Sequence, residues 1–142
     1  NIRFQAIGRL AQLPDSLRKT IEAYAGKTKD NTGLVLNLAL NYGGRPEIID
    51  AARNIAKDIR EGKISPGDID EKLFADHLYT RNMPDPDLLI RTSGEFRVSN
   101  FLLWQIAYTE IRVVKKLWPD FNKEDFKKCI LDYQARERRF GG

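Results

Sequence analysis

The 142-residue chain has one cysteine, one histidine and no long run of apolar residues. Cys129 alone cannot form an intramolecular disulfide, and a thiolate-rich zinc site is excluded. With His77 as the single imidazole, a metal site would have to be built from carboxylates. The longest apolar run, residues 101–104, is far shorter than the roughly 20 residues of a membrane-spanning helix. We therefore expect the protein to work in the cell interior, in the cytoplasm.

Two common phosphate-binding motifs are also missing. The sequence contains neither a P-loop nor a GxGxxG pattern, so nucleotide binding by these routes has no support. Lys and Arg number 24 against 20 Asp and Glu, which gives a net charge of +4. This modest excess permits an anionic partner, and nucleic acid, a phosphorylated small molecule and an acidic membrane surface all remain open at this point.

Strand-like and helix-like segments alternate along the chain, without a repeat or a flexible linker. Such alternation predicts an α/β fold, an open, mostly parallel sheet flanked by helices, in one unit covering residues 1–142. The dense apolar run at 34–41 predicts a strand covered on both faces. We expect strands at 2–7, 34–41, 87–91 and 109–114, helices that begin near Pro14, Pro46, Ser65 and Asn122, and a short buried helix at 101–108.

The loop that follows the predicted strand at 87–91 is the most unusual part of the sequence. Ligands of open parallel sheets bind outside the carboxyl ends of the strands, where this loop should lie. Its guanidinium and hydroxyl groups suit a diphosphate, because the planar fork of arginine can hold two phosphate oxygens. A solvated loop is an equally acceptable interpretation of the same residues, which are Arg91, Thr92, Ser93, Gly94, Arg97 and Ser99.

Glu110, in the last predicted strand, is a second candidate. A carboxylate in an apolar strand is costly to bury without a cation. Arg112 lies two residues further on the same face, and an internal ion pair between the two is the favoured interpretation. The alternative is a magnesium ion shared with diphosphate oxygens, because magnesium uses few carboxylates together with substrate phosphates.

Several longer motifs resemble those of one enzyme family. They are DLLIRTSGEFRVSNFLL at 87–103, LWPDF at 117–121, RRFGG at 138–142, DNTG at 30–33 and NYGGR at 41–45. In this order and at this length, they resemble the cis-prenyltransferases, and the matches run through essentially the whole chain. The resemblance implies the open parallel sheet of that family and a prenyl-transfer activity.

Members of this family condense isopentenyl diphosphate onto an allylic diphosphate, usually farnesyl diphosphate. Each new double bond is cis, and the product is a polyprenyl diphosphate. The resemblance further implies a magnesium cofactor, a homodimer with its subunit contact near residues 95–104, and no nucleic-acid partner. Peripheral association with a membrane through the lipid product is also implied.

The resemblance assigns roles to particular residues of this chain. Arg91, Arg97 and Ser99 match the positions that hold isopentenyl diphosphate, and Glu110 matches the glutamate at the magnesium site. The family's C-terminal RxG motif, which helps to bind diphosphate, corresponds here to Arg139 and Gly141.

The sequence also departs from the family pattern. It has no MDGNGRWA-type segment, the one that carries the family's central catalytic aspartate, so no catalytic residue is assigned in this chain. We therefore interpret the chain as the C-terminal portion of a cis-prenyltransferase domain and expect it to be inactive alone. After Glu110 the family commonly has Leu-Tyr-Phe, whereas this chain has Ile111, Arg112 and Val113.

Two other functions are considered. One is a non-catalytic accessory subunit of a heteromeric cis-prenyltransferase, although such subunits tend to lose the residues that match Arg91, Arg97 and Ser99 here. The other is a basic nucleic-acid-binding module, for which the net charge of +4 is the sole argument.

Overall fold

Helices separate the first three strands in the computed structural model, which describes residues 1–137, whereas bends and turns join the third strand to the fourth. This mixture of helices and strands confirms the predicted α/β class, and the strands pair in parallel in two two-stranded sheets. Single turns of 3-10 helix lie at Leu10–Gln12, Pro66–Asp68 and Trp118–Asp120. The longer elements are β1 (Arg3–Ile7), α1 (Asp15–Thr28), β2 (Val35–Ala39), α2 (Gly44–Arg60), α3 (Glu71–Asp76), β3 (Leu88–Arg91), β4 (Glu110–Val113) and α4 (Lys123–Gln134).

The chain divides into two compact units, the first spanning Asn1–Met83 and the second beginning at Pro84. The first unit holds the parallel pair of β1 and β2, and the second holds the parallel pair of β3 and β4. The boundary falls where Pro84 and Pro86 flank Asp85. Proline has no backbone N–H, so this segment cannot continue a helix or a ladder. That residues 1–142 belong to a single domain remains a prediction.

The first unit is built around the pairing of β1 with β2, which runs in register from Arg3 opposite Val35 to Ile7 opposite Ala39. Parallel strands require a crossover connection, and α1 provides it while packing against β1. Gly8 follows β1 with a φ of 121°, and a Cβ at this position would lie 2.0 Å from the carbonyl oxygen of Leu40. Glycine is therefore required where the ends of the two strands approach each other.

β2 is more exposed than its sequence predicts. Val35, Leu36 and Leu38 are 41%, 45% and 41% exposed. Successive residues of a strand point to opposite faces, so both faces of β2 present apolar side chains. The prediction of cover on both faces is wrong for residues 1–137, because the sheet there has two strands and α1 packs on β1.

Two carboxylates on α2 fasten this helix to other parts of the first unit. Glu47 is fully buried and accepts hydrogen bonds from the Tyr42 hydroxyl at 2.5 Å and the Tyr79 amide at 2.9 Å. Asp50 accepts two hydrogen bonds from Arg9, one from Nε and one from Nη2, both at 2.9 Å. The hydrogen bonds from Arg9, and next that from Tyr79, hold the pKa of Asp50 below its usual value. These contacts connect α2 with the end of β1 and with the residues after α3.

In the second unit, the parallel pairing places Arg91 and Val113, the last residues of β3 and β4, side by side. α4 begins behind Asn122 as predicted, because the Asn122 side-chain oxygen accepts hydrogen bonds from two first-turn amides at 3.0 and 3.2 Å. Cys129, on the inner face of this helix, is buried.

The apolar run at 101–108 predicts a short buried helix, and this prediction is wrong. The segment is a succession of bends and turns, in which Gln105 is buried and Tyr108 is 72% exposed. Asn100 and Leu102 have φ values of 64° and 46°. These values lie outside the right-handed helical region, so a helix cannot continue through this part of the chain.

The helices of residues 1–137 are all too short or too polar to cross a membrane. The longest, α2, has 17 residues and carries charged side chains along much of its length.

His77 lies just after α3 with both ring nitrogens engaged. Nδ1 donates to the Leu73 carbonyl oxygen at 2.7 Å, and Nε2 donates to the Asp58 carboxylate at 3.1 Å. Neither partner can donate in return, so both nitrogens hold protons when both bonds form. The Leu73 carbonyl, followed by Asp58, raises the pKa of His77 above its ordinary value, and partial burial opposes this.

We predict that the protonated His77 stabilises the first unit. Because its folded pKa is raised, this contribution is complete below the unfolded pKa of about 6.5 and is lost as the pH rises through the folded pKa. Urea unfolding should therefore show a free energy of unfolding that decreases across this window, and the decrease should disappear in His77→Gln. An NMR titration of the single imidazole that gave a midpoint at or below about 6.5 would contradict this prediction.

Candidate functional site

The residues that follow β3 are held against those that follow β4. The Ser93 amide donates to the Lys116 carbonyl at 2.7 Å, and the Gly94 amide donates to the Val114 carbonyl at 2.9 Å. Ser93 and Gly94 have φ values of 72° and 69°, so the chain turns sharply directly after β3. The loop is therefore fixed at the carboxyl end of the β3–β4 pair, where the sequence places the candidate site.

A cavity of about 840 Å³ lies beside this loop. Four arginines and one glutamate line it, together with five apolar side chains. The positive charge of its wall therefore exceeds the negative charge, and the apolar residues supply a surface next to it that cannot hydrogen-bond. The charged residues of the lining are Arg91, Glu95, Arg97, Arg112 and Arg136.

The three residues predicted to hold a diphosphate lie close together. Arg91 and Arg97 line the same cavity, and Arg91 Nη2 donates a long hydrogen bond of 3.5 Å to the Ser99 hydroxyl. The Arg91 Nε atom is buried and has no hydrogen-bond partner within residues 1–137. Arg97 forms an ion pair with Glu95. One guanidinium therefore has an unused buried donor, and the other is held by a neighbouring carboxylate.

Glu110 is the first residue of β4 and binds a cation, but not the predicted one. Its carboxylate accepts a hydrogen bond from Arg136 Nη1 at 2.5 Å, and Arg136 Nη2 donates to Asp132 at 2.8 Å. Arg112, which the sequence favours as the partner of Glu110, instead lies 3.6 Å from Asp132. The prediction that Glu110 pairs with Arg112 is wrong, because the segment after α4 brings the Arg136 guanidinium to Glu110.

Arg136 thus links β4 to α4 through two carboxylates. The hydrogen bond to Glu110, followed by that to Asp132, raises the pKa of Arg136 further above its already high value. A guanidinium with two carboxylate partners keeps its charge at every physiological pH. Because Arg136 also lines the cavity, this network places a permanent cation in its wall.

A metal ion is implied by the family resemblance, and the described residues meet this requirement in part. Residues 1–137 contain no group of three or more His, Cys, Asp or Glu residues placed to hold a metal. Glu110 supplies one carboxylate, 30% exposed, with Arg136 bound to it. Magnesium commonly uses one or two carboxylates and completes its shell with phosphate and water oxygens. The chemistry of Glu110 therefore fits one ligand of such an ion, and the others would have to come from elsewhere.

Two predicted substrate-binding residues lie outside the described part of the chain. Two arginines that were not predicted to bind substrate line the cavity. Arg139 and Gly141 follow residue 137, where the description ends. Arg112, which the sequence favours as the partner of Glu110, lines the cavity, and so does Arg136, which follows α4. In the sequence Arg136 belongs to a cluster of basic residues, which does not reveal what its side chain contacts.

A family profile described as putative undecaprenyl diphosphate synthase matches residues 1–141. An isoprenyl transferase of Heliobacterium mobile is 56% identical over 141 residues, which are 99% of this chain and 54% of that protein. An isoprenyl transferase of Clostridium perfringens is 57% identical over 141 residues, 99% of this chain and 56% of that protein. The chain thus spans about half the length of these curated relatives.

Two solved structures of diphosphate synthases are also similar to this chain. Lavandulyl diphosphate synthase from Lavandula x intermedia, in complex with dimethylallyl diphosphate, has a TM-score of 0.96 and 44% identity, covering 99% of this chain and 61% of that one. A probable undecaprenyl diphosphate synthase from Campylobacter jejuni has a TM-score of 0.83 and 38% identity, with coverage of 99% and 64%.

We predict that Arg136→Met lowers the free energy of unfolding by about 1 kcal/mol, because Glu110 and Asp132 lose a shared cation. Urea unfolding measures the change, and Lys127→Met, which replaces an exposed residue of α4, is the control. In the double variant Arg136→Met/Glu110→Gln, the two losses should be less than additive, since both changes break the same contact. Strict additivity would show that the ion pair contributes nothing.

Proposed function

The chain belongs to the undecaprenyl diphosphate synthase family of prenyltransferases, and from this membership we propose that it contributes the isopentenyl diphosphate site of a chain-elongating enzyme. The proposed reaction joins isopentenyl diphosphate to an allylic diphosphate, farnesyl diphosphate, and leaves cis double bonds in the polyprenyl product. Undecaprenyl diphosphate is the proposed product. The observation that carries the proposal is the cavity at the end of β3, which combines four guanidiniums with an apolar wall.

The lining of this cavity suits a ligand with an anionic head and a short hydrocarbon tail. A guanidinium can bind two phosphate oxygens at once, and Arg91 and Arg97 both line the cavity. The Ser99 hydroxyl, which is 3.5 Å from Arg91 Nη2, is proposed to donate to another phosphate oxygen. We therefore assign the diphosphate of isopentenyl diphosphate to Arg91, Arg97 and Ser99, and its hydrocarbon to the apolar side of the cavity.

The fixed charges explain how such a site would favour the reaction. Negative charge accumulates on the leaving diphosphate of the allylic substrate as its carbon–oxygen bond breaks, and cations held in place stabilise that charge. Binding isopentenyl diphosphate beside the allylic carbon also aligns its double bond for attack, which removes much of the entropic cost. The chain's own part in this scheme is to bind and orient the five-carbon substrate.

We propose Glu110 as one ligand of a magnesium ion that neutralises diphosphate oxygens when it is bound. Arg139 and Gly141, which lie beyond the described residues, are proposed to contact diphosphate through the C-terminal tail. The complete enzyme is proposed to be a homodimer with a contact near residues 95–104, where Phe96 is 90% exposed. It is also proposed to reside in the cytoplasm, with peripheral membrane association through its lipid product.

The proposed activity requires more of the family fold than these 142 residues. The sequence contains no MDGNGRWA-type segment, and the chain covers 54% of the Heliobacterium mobile protein. The catalytic aspartate of that segment is therefore proposed to lie outside this sequence. An accessory, non-catalytic role is less well supported, because Arg91, Arg97 and Ser99 are all present and grouped at one site.

We predict that Arg97→Ala weakens the binding of isopentenyl diphosphate to the 142-residue chain roughly ten- to a hundredfold, since a charge-assisted hydrogen bond contributes roughly 1.5–3 kcal/mol. Isothermal titration calorimetry provides the measurement. Arg60→Ala removes an exposed arginine of α2 that is not one of the residues lining the cavity, and it should leave the affinity unchanged. Equal losses in the two variants would assign the binding to overall charge and not to this site.

We also predict that the chain alone does not synthesise polyprenyl diphosphate. The test supplies radiolabelled isopentenyl diphosphate, farnesyl diphosphate and magnesium, and extracts the lipid product. The full-length Heliobacterium mobile isoprenyl transferase is the positive control. Robust chain elongation by the 142-residue protein would show that it holds a complete active site.

A further inference from the structure

A second cavity, of about 450 Å³, lies within the first unit, where residues of β1, of α1 and of the segment 79–83 line it. Its volume is within the range of small-molecule sites in proteins. It shares no lining residue with the cavity beside β3. Much of its wall is apolar, and three charged side chains also line it, namely Arg3, Glu22 and Arg81.

Hydrogen bonds hold the segment 79–83 in place beside this cavity. The Tyr79 amide donates to the buried Glu47 carboxylate at 2.9 Å. At the other end of the segment, Asn37 Nδ2 donates to the Met83 sulfur at 3.4 Å. Arg81 therefore lies between two anchored residues, and both of these also line the cavity.

The three charged side chains of the cavity are not paired with one another. Within residues 1–137, Arg3, Glu22 and Arg81 form no side-chain hydrogen bond and no ion pair. Arg3 is half-buried, and its Nε is enclosed without a partner. A guanidinium that is partly buried and unpaired costs free energy, which a bound anion would offset. By contrast, three of the four arginines that line the cavity beside β3 already pair with carboxylates.

The wall of this cavity suits an organic anion with a single negative charge. Two arginines and one glutamate give it a net charge of +1, which one carboxylate neutralises. The planar fork of arginine matches the two oxygens of a carboxylate. The second charge of a phosphate would meet the unpaired Glu22 in the same wall. The apolar part of the wall, which includes Ile7 and Ile21, suits a short hydrocarbon chain.

We propose that this cavity binds an organic carboxylate with a short apolar chain. The ligand's carboxylate pairs with Arg3 and Arg81, and its chain packs against the apolar side chains of β1 and α1. The first unit therefore has a ligand site of its own. This inference needs neither the proposed prenyl transfer nor the site beside β3, so it can be tested separately from both.

The test is an NMR titration of the 142-residue chain with probes that share a six-carbon chain and differ in charge. Hexanoate should shift the amides of Gln5, Glu22 and Asn82, which belong to residues that line the cavity, along a saturating curve. The neutral 1-hexanol and the cationic hexylammonium should bind at least about tenfold more weakly, because neither pairs with a guanidinium. Hexyl phosphate should also bind more weakly than hexanoate.

Two variants with opposite effects test the charges of the wall. Arg81→Ala removes an exposed side chain and should weaken hexanoate binding about tenfold. Glu22→Gln raises the net charge of the wall and should tighten hexanoate binding roughly two- to fivefold. Arg60→Ala, which replaces an exposed arginine outside the lining of this cavity, is the control and should leave the affinity unchanged.

Three results would overturn the proposal. The first is the absence of a saturating shift at Gln5, Glu22 and Asn82, or hexanoate shifts confined to residues 89–98 beside the other cavity. The second is binding of 1-hexanol, hexylammonium or hexyl phosphate as tight as that of hexanoate. The third is an affinity for hexanoate that Arg81→Ala and Glu22→Gln both leave unchanged.

Discussion

The parallel pairing of β3 with β4 is the constraint on which the candidate site depends. Parallel strands end at the same edge of a sheet, so Arg91 and the residues after Val113 must lie side by side. The backbone of residues 93 and 94 then bonds to the segment that follows β4, which fixes the loop where ligands of such sheets bind. An antiparallel hairpin of the same sequence would separate these groups by the length of a strand. The parallel direction of β3 and β4 thus determines which side chains meet at this loop.

The cations of the site are held by acids that belong to the same unit. Glu95 pairs with Arg97, and Glu110 and Asp132 share Arg136. Such pairing reduces the repulsion among four guanidiniums and fixes their positions before a ligand arrives. Any anion that enters the cavity therefore competes with the carboxylates already bound to these guanidiniums. Fixed cations of this kind need little rearrangement during a reaction, which is the main advantage of an enzyme site over water.

The chain matches 54% of the Heliobacterium mobile protein, so much of that protein has no counterpart in these 142 residues. Within residues 1–137 each of the two sheets has two strands, and the apolar side chains of β2 are exposed. The two units nevertheless contain their own buried contacts, such as Glu47 beneath Tyr42 and Tyr79 in the first.

The α/β class, the family and the start of helices such as α4 could be predicted from the sequence, because periodicity, caps such as Asn122 and long motifs are local properties of the chain. The prediction that Arg91, Arg97 and Ser99 act together came from the family resemblance of the motif that contains them. The pairing of Glu110 with Arg136 and not with Arg112 could not be predicted, because it depends on how the segment after α4 lies against β4 in the folded protein. The turns at 101–108 and the exposure of β2 likewise became visible in the three-dimensional structure. An apolar composition indicates that a segment is more stable when buried. Whether it is buried depends on which other strands and helices pack against it.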